Sequence, residues 1–171
     1  MARPLVVVVM GVSGSGKTTV GEALAAHLSV PYADGDDFHS EANVAKMARG
    51  EALTDVDRAP WLAAIAAWMR AHGEHGGSGA VVSCSALRRA YRDVLSAAAP
   101  AAIYLHLTGS EDLLRERVSG RRGHFMPASL LRSQLDALEP LAPDERGVAL
   151  DVARTPDALV AAFVDFARAL A

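Results

Sequence analysis

Eight consecutive residues, Gly11-Val12-Ser13-Gly14-Ser15-Gly16-Lys17-Thr18, constrain this chain more than any other stretch. They match G-x-x-x-x-G-K-[ST] and stand between an apolar run at 5–10 and a helix-patterned segment at 19–28. That is the strand–loop–helix setting in which the pattern binds phosphate. Gly11, Gly14 and Gly16 let the backbone turn tightly and approach a ligand with no Cβ in the way. The amides of Val12, Ser13 and Ser15 then face inward with those of the glycines as an anion nest. The helix that opens at Lys17, Thr18 and Thr19 adds the positive end of its dipole. Lys17 brings a point charge for the β- and γ-phosphates of a nucleotide, and Thr18 brings a hydroxyl for Mg²⁺.

The strand pattern fits the same fold. Residues 5–9 form a β-branched run of the kind buried on both faces of a parallel sheet. Further strands are expected at 30–33, 80–84, 101–107 and 147–152. Helices are expected at 41–49, 60–72, 87–95, 110–120, 128–138 and 156–170, with Pro60 and Pro156 suited to first helical positions. Residues 54–58 read as a polar linker, and Trp61 and Trp68 belong to an apolar stripe. Strands alternating with helices predict an α/β doubly wound parallel sheet of the P-loop NTPase type, with helices on both faces. A single domain, 1–171, is expected, with a substrate-binding helical insert near 38–72 and a lid near 117–138. At 171 residues and 51% hydrophobic content, the chain can build such a core alone.

Composition excludes several classes of function. The formal net charge is −3 and no long basic run appears, which argues against nucleic acid as the main partner. The one cysteine, Cys84, cannot form an internal disulfide and reads as a small buried hydrophobe in a reducing compartment. Residues 5–10 are too short for the core of a signal peptide, and no segment is long enough to cross a bilayer, so a cytoplasmic setting is expected. No His/Cys/Asp group has zinc spacing. His106, inside a strand, reads as a core residue.

One acidic pair and two basic sets of residues carry chemistry beyond the loop. Asp34 and Asp36 end the second strand, where open α/β sheets bind ligands. One carboxylate can hold Mg²⁺ through water, and the other can accept a proton from an attacking hydroxyl. His39, Lys46, Arg58, Arg88 and Arg92 follow strand ends or the polar linker and can converge on an anionic substrate. Arg117, Arg121 and Arg122, with His124, surround a basic loop that suits a lid closing over the transferring phosphoryl group. Arg117 and Arg121 share one helix face.

Taken together, these stretches resemble the small P-loop gluconokinases, relatives of shikimate and adenylate kinases. The matching residues are the phosphate loop, Asp34-Gly35-Asp36 with His39, and Asn43-Val44-Ala45-Lys46-Met47. They continue through Leu53 to Leu62, then Cys84 to Asp93, Arg117 with Arg121 to Met126, Ser133-Gln134 and Leu138-Glu139-Pro140. Thr18 stands where Ser is usual, Ser40 replaces a usual Pro and Leu135 a usual Phe. None of these departures removes a charged group. The resemblance implies a five-stranded sheet in the order 2-3-1-4-5 and commonly a homodimer. It also implies ATP- and Mg²⁺-dependent phosphorylation of D-gluconate to 6-phospho-D-gluconate.

On this reading Lys17 and the loop amides hold ATP, Thr18 and Asp34 serve the metal, and Asp36 orients or deprotonates the attacking hydroxyl. His39, Lys46, Arg58, Arg88, Arg92 and His124 bind the sugar acid. Arg117 and Arg121 stabilise phosphoryl charge and stack on adenine, with Pro156 bordering the base. A shikimate-type kinase shares the loop and the paired aspartates, but Ser83-Cys84-Ser85-Ala86 stands where its Gly-rich anchor is expected. A GTP-dependent switch would need an Asn-Lys-x-Asp element, which the chain lacks.

Overall fold

Val6–Met10 form strand β1, and all five residues are buried. A strand with both faces covered must lie inside a sheet, and β1 is its centre. In the computed structural model, which describes residues 4–74, 76–120 and 128–171, five parallel strands run in the order β2-β3-β1-β4-β5. The others are β2 (Tyr32–Asp34), β3 (Ala80–Ser83), β4 (Ile103–Thr108) and β5 (Gly147–Asp151). The helices are α1 (Lys17–Leu28), α2 (Glu41–Ala48), α3 (Asp55–Gly73), α4 (Arg89–Ala98), α5 (Glu111–Gly120), α6 (Ala128–Ala137) and α7 (Pro156–Ala169).

Alternation along β1 splits the core in two. Val6, Val8 and Met10 pack against Trp61, Ile65 and Met69 of α3 and Tyr91 and Leu95 of α4. Val7 and Val9 pack against Val20 and Leu24 of α1 and Leu159, Val160 and Phe163 of α7. Each fully buried valine contributes about 1.5–3 kcal/mol through removal of its side chain from water. A third cluster, Val12 with Leu87, Leu114 and Leu131, lies under the phosphate loop and joins it to α5 and α6.

Two expectations are corrected. The segment 54–58 is not a linker, and Pro60 is not a first helical residue, because α3 begins at Asp55. The Thr54 hydroxyl accepts from the Asp57 amide at 3.1 Å, and the Asp57 carboxylate accepts from the Thr54 amide at 2.8 Å. This capping box starts the helix a turn and a half earlier and outweighs the bond that Pro60 cannot donate inside it. The second strand, placed at 30–33 from its apolar residues, runs instead over Tyr32–Asp34, so Asp34 is its last residue. Its register on β3, Asp34 opposite Ser83, decides this.

His106 on β4 is 3% exposed. Burial, with the positive Arg92 as a lesser cause, pushes its imidazole down from 6.5 to about 4. Between those values the unfolded chain binds more protons than the folded one. The stability tied to His106 is therefore complete above about 6.5 and is lost as pH falls toward about 4. In urea titrations across that window, His106→Leu is expected to flatten the dependence of unfolding free energy on pH. An unchanged slope would show that His106 does not contribute.

Candidate active site

The strand ends β1, β2 and β3 open into one cleft with a cavity of about 240 Å³. The phosphate loop forms its floor. Gly14 has φ +81, and a Cβ there would meet the Leu114 carbonyl oxygen at 2.9 Å, so the loop can back onto α5 only as glycine. Gly11 donates its amide to Ser85 O at 3.3 Å, which sets the segment after β3 beside the loop. Lys17 Nζ donates to Val12 O at 3.0 Å and lines the cleft. The Ser13 amide donates to Gln134 Oε1 of α6 at 2.7 Å, so a side-chain oxygen occupies one of the donors of the nest.

Asp34 is held beside Thr18. The Thr18 hydroxyl donates to Asp34 Oδ2 at 3.4 Å, and the Asp36 amide donates to Asp34 Oδ1 at 2.9 Å. The Ser83 hydroxyl reaches the same carboxylate at 3.5 Å and lies 2.7 Å from the Tyr32 hydroxyl. Thr18 and Asp34 offer only hard oxygen donors, the chemistry that fits Mg²⁺ shared with phosphate oxygens and water. Gly35 lets the chain turn here, since a Cβ would stand 2.2 Å from the Ser83 carbonyl oxygen. The turn exposes the Asp36 carboxylate at the cleft.

Opposite the loop stand His39, Arg58 and Trp61. Trp61 is 3% exposed, donates Nε1–H to Gly35 O at 2.7 Å and stacks on His39 with ring centres 4.3 Å apart. It is both a core residue and a wall of the cleft. Arg58 Nη1 donates to the Tyr91 hydroxyl at 3.1 Å, and its guanidinium sits 5.3 Å above the Tyr91 ring. The Tyr91 hydroxyl donates in turn to Asp55 at 2.6 Å. Burial pushes the Tyr91 phenol up, and this bond to Asp55 adds to the effect. Burial also pushes the His39 imidazole down, with Arg58 in the same direction and Asp36 opposing.

Thus Ser13, Lys17, Thr18, Asp34, Asp36, His39 and Arg58 share the cleft. Other expected residues lie elsewhere. Arg92 does not face substrate: its side chain is 1% exposed and its donors are taken by Glu145, Ala86 O and Pro140 O. Lys46 is tied to Asp57 at 2.8 Å and fixes α2 to the start of α3. Arg88 is exposed at the cap of α4, near enough for its charge to favour ionisation of Tyr91. Arg117 donates to Val152 O at 3.0 Å, beside the turn that leads to Pro156 and α7. Arg121, Arg122 and His124 lie outside the described residues. Burial pushes the Cys84 thiol up to about 12, so it is no nucleophile.

Sequence alone assigns no role to Tyr91, Gln134 or Asn43. All three stand in matched stretches, but only packing shows what their polar groups touch.

A model of the AAA domain family matches residues 7–126. A gluconokinase of Gluconobacter oxydans is 46% identical over 158 residues, covering 92% of this chain and 88% of that protein. The chain belongs to the gluconokinase family. A gluconokinase from Sinorhizobium meliloti has the same fold, with a TM-score of 0.86 at 46% identity over 98% of this chain and 94% of that one. An unliganded sugar kinase from Janibacter gives 0.89 at 47% identity, with 99% of each chain covered. This gluconokinase-family chain is therefore a P-loop kinase. No helix among the described residues is long and apolar enough to cross a membrane.

Proposed function

We propose that this enzyme transfers the γ-phosphoryl group of ATP to the terminal hydroxyl of D-gluconate, giving 6-phospho-D-gluconate. One observation carries the reading. The phosphate loop and the set Asp36, His39 and Arg58 face one another across a single cleft. Lys17 and the loop amides hold the β- and γ-phosphates, and Arg117, beside the Val152 turn, serves the nucleotide with Pro156 and Arg121. Thr18 and Asp34 would hold Mg²⁺, whose charge offsets that developing on the phosphate oxygens. Asp36 sits at the strand end with its carboxylate open to the cleft and accepts the proton of the attacking hydroxyl. Arg58, braced by Tyr91 and Asp55, takes the carboxylate of the sugar acid, and Arg88 and His124 are further candidates for binding it. The homodimer and the cytoplasmic setting belong to the same proposal, and sedimentation equilibrium tests the first.

Incubation with MgATP and gluconate, followed by ³¹P and ¹³C NMR, should show a phosphate ester on the terminal carbon. Turnover of shikimate in place of gluconate would overturn the assignment. Arg58→Ala is expected to raise the KM for gluconate by roughly 10- to 100-fold, since a charge-assisted hydrogen bond is lost. An unchanged KM would take Arg58 out of the substrate site. Asp36→Asn should lower kcat by about 10²–10⁴-fold with the KM for ATP held. Equal losses in both would make Asp36 a metal-linked residue and no base.

A further inference from the structure

Asn43 is 7% exposed, yet it belongs to no step of the proposed reaction. Its carboxamide has two fixed neighbours. Nδ2 lies 3.0 Å from the backbone oxygen of Asp57 and 3.3 Å from Nδ1 of His39. The carbonyl of Asp57 can only accept, so the atom beside it must be the NH₂ group. That group has two hydrogens and no acceptor capacity, so its second hydrogen points to His39 and Nδ1 must accept it. A ring nitrogen that accepts carries no proton, and in neutral imidazole the proton is then on Nε2.

The ring is held from its face as well. Trp61 stacks on it at an interplanar angle of 13°, and Trp61 is itself anchored to Gly35 O. Asn43 is anchored through its own amide, which donates to the Ser40 hydroxyl at 3.1 Å where α2 starts. Nε2 has no protein partner among the described residues, and His39 lines the cleft with Asp36 and Arg58. Burial disfavours a charged ring, and the charges of Asp36 and Arg58 oppose each other, Asp36 favouring a proton and Arg58 disfavouring one.

We infer that Asn43 is a positioning residue that locks His39 as its Nε2–H tautomer, so that His39 recognises an acceptor oxygen of the sugar acid as a hydrogen-bond donor and cannot take the proton of the attacking hydroxyl. The substrate half of this inference rests on the gluconate kinase reading, and the tautomer half does not. It leaves Asp36 as the proton acceptor. It also makes the site selective for an acidic or hydroxyl oxygen at that point of the substrate over an ammonium group, which has no lone pair to offer.

The test uses the ¹⁵N-labelled full chain without substrate. Two-bond ¹H–¹⁵N correlation spectra distinguish protonated from bare ring nitrogens, and the His39 signals among the six histidines are those that vanish in His39→Gln. A bare Nδ1 and a protonated Nε2 are expected, moving toward averaged shifts in Asn43→Ala. A protonated Nδ1 in the wild type, or identical shifts in Asn43→Ala, overturns the lock.

Kinetics supply the second arm. The amide nitrogen of Gln keeps a donor where Nε2–H stands, so His39→Gln should raise the KM for gluconate at least about 3-fold less than His39→Glu, an acceptor only. Asn43→Ala should raise it about 3- to 10-fold with kcat less affected. Equal effects of Gln and Glu would overturn the donor role while leaving the tautomer result standing. Should Asn43→Ala not fold, the wild-type spectrum and the Gln/Glu pair still decide. Failure of gluconate to be phosphorylated at all is read separately, in the product assay.

Discussion

Lys17→Ala is expected to lower kcat by about 10³-fold or more while the protein stays folded. Phosphoryl transfer gains little from covalent help by the protein, and its acceleration comes from placement and charge. Lys17 is the one lysine of the phosphate loop, and its ammonium lies at the cleft floor, 3.0 Å from Val12 O. That position lets it swing to phosphate oxygens with no change of backbone. The side chain is only half-buried, so its loss opens no cavity in the core. Steady-state rates with a coupled ADP assay, beside thermal unfolding of the variant, check both halves. Near-normal turnover would remove Lys17 from the reaction, and a collapse of stability would make it a structural residue.

Arg92→Ala should have its effect on stability. The Arg92 guanidinium donates to Glu145 at 2.6 and 3.0 Å, to Ala86 O at 2.8 Å and to Pro140 O at 3.4 Å, with side-chain exposures of 1% for Arg92 and 7% for Glu145. Burial pushes the Glu145 carboxyl up. The bonds from Arg92 and from the Ala142 amide outweigh that and hold the carboxyl below its ordinary value. Removing the arginine strands a buried carboxylate and two carbonyls. The expected cost is about 3–5 kcal/mol, or roughly 6–20 °C in Tm for a chain of this size. The double variant Arg92→Met with Glu145→Leu should recover most of the loss, because neither charge is then left unpaired. Urea unfolding of both variants measures this. A loss below about 1 kcal/mol in the single variant would mean that water reaches Glu145 after all.

The contrast between Lys17 and Arg92 marks the limit of what local sequence can convey. Both are cations near strand ends, and both carried a functional expectation. Lys17 sits in a motif whose spacing itself dictates geometry, because glycines and a helix start leave the loop few conformations. Arg92 sits on an amphipathic helix, where its destination depends on which partner the far end of the chain delivers. Glu145 is 53 residues away and Pro140 is 48. Lys46 is a similar case, claimed by Asp57 across the turn between α2 and α3. The start of α3 departs from the local signal for a related reason: Pro60 suits a first helical position, but the Thr54–Asp57 capping box acts reciprocally and wins.

The sequence by itself determined the alternation of strands and helices, the buried central strand, the phosphate loop and the paired aspartates. These depend on backbone sterics, burial period and spacings of a few residues, all local quantities. Only the tertiary structure decided which cations reach the cleft. It alone seated Gln134 on the Ser13 amide, braced Arg58 on Tyr91 and placed Asn43 against His39. The Gln134 and Arg58 contacts join residues far apart in the chain, and His39 and Asn43 meet only because a turn and a helix cap fold them together around Asp57. Hydrogen-bond partners are chosen by packing, and packing is a property of the whole chain.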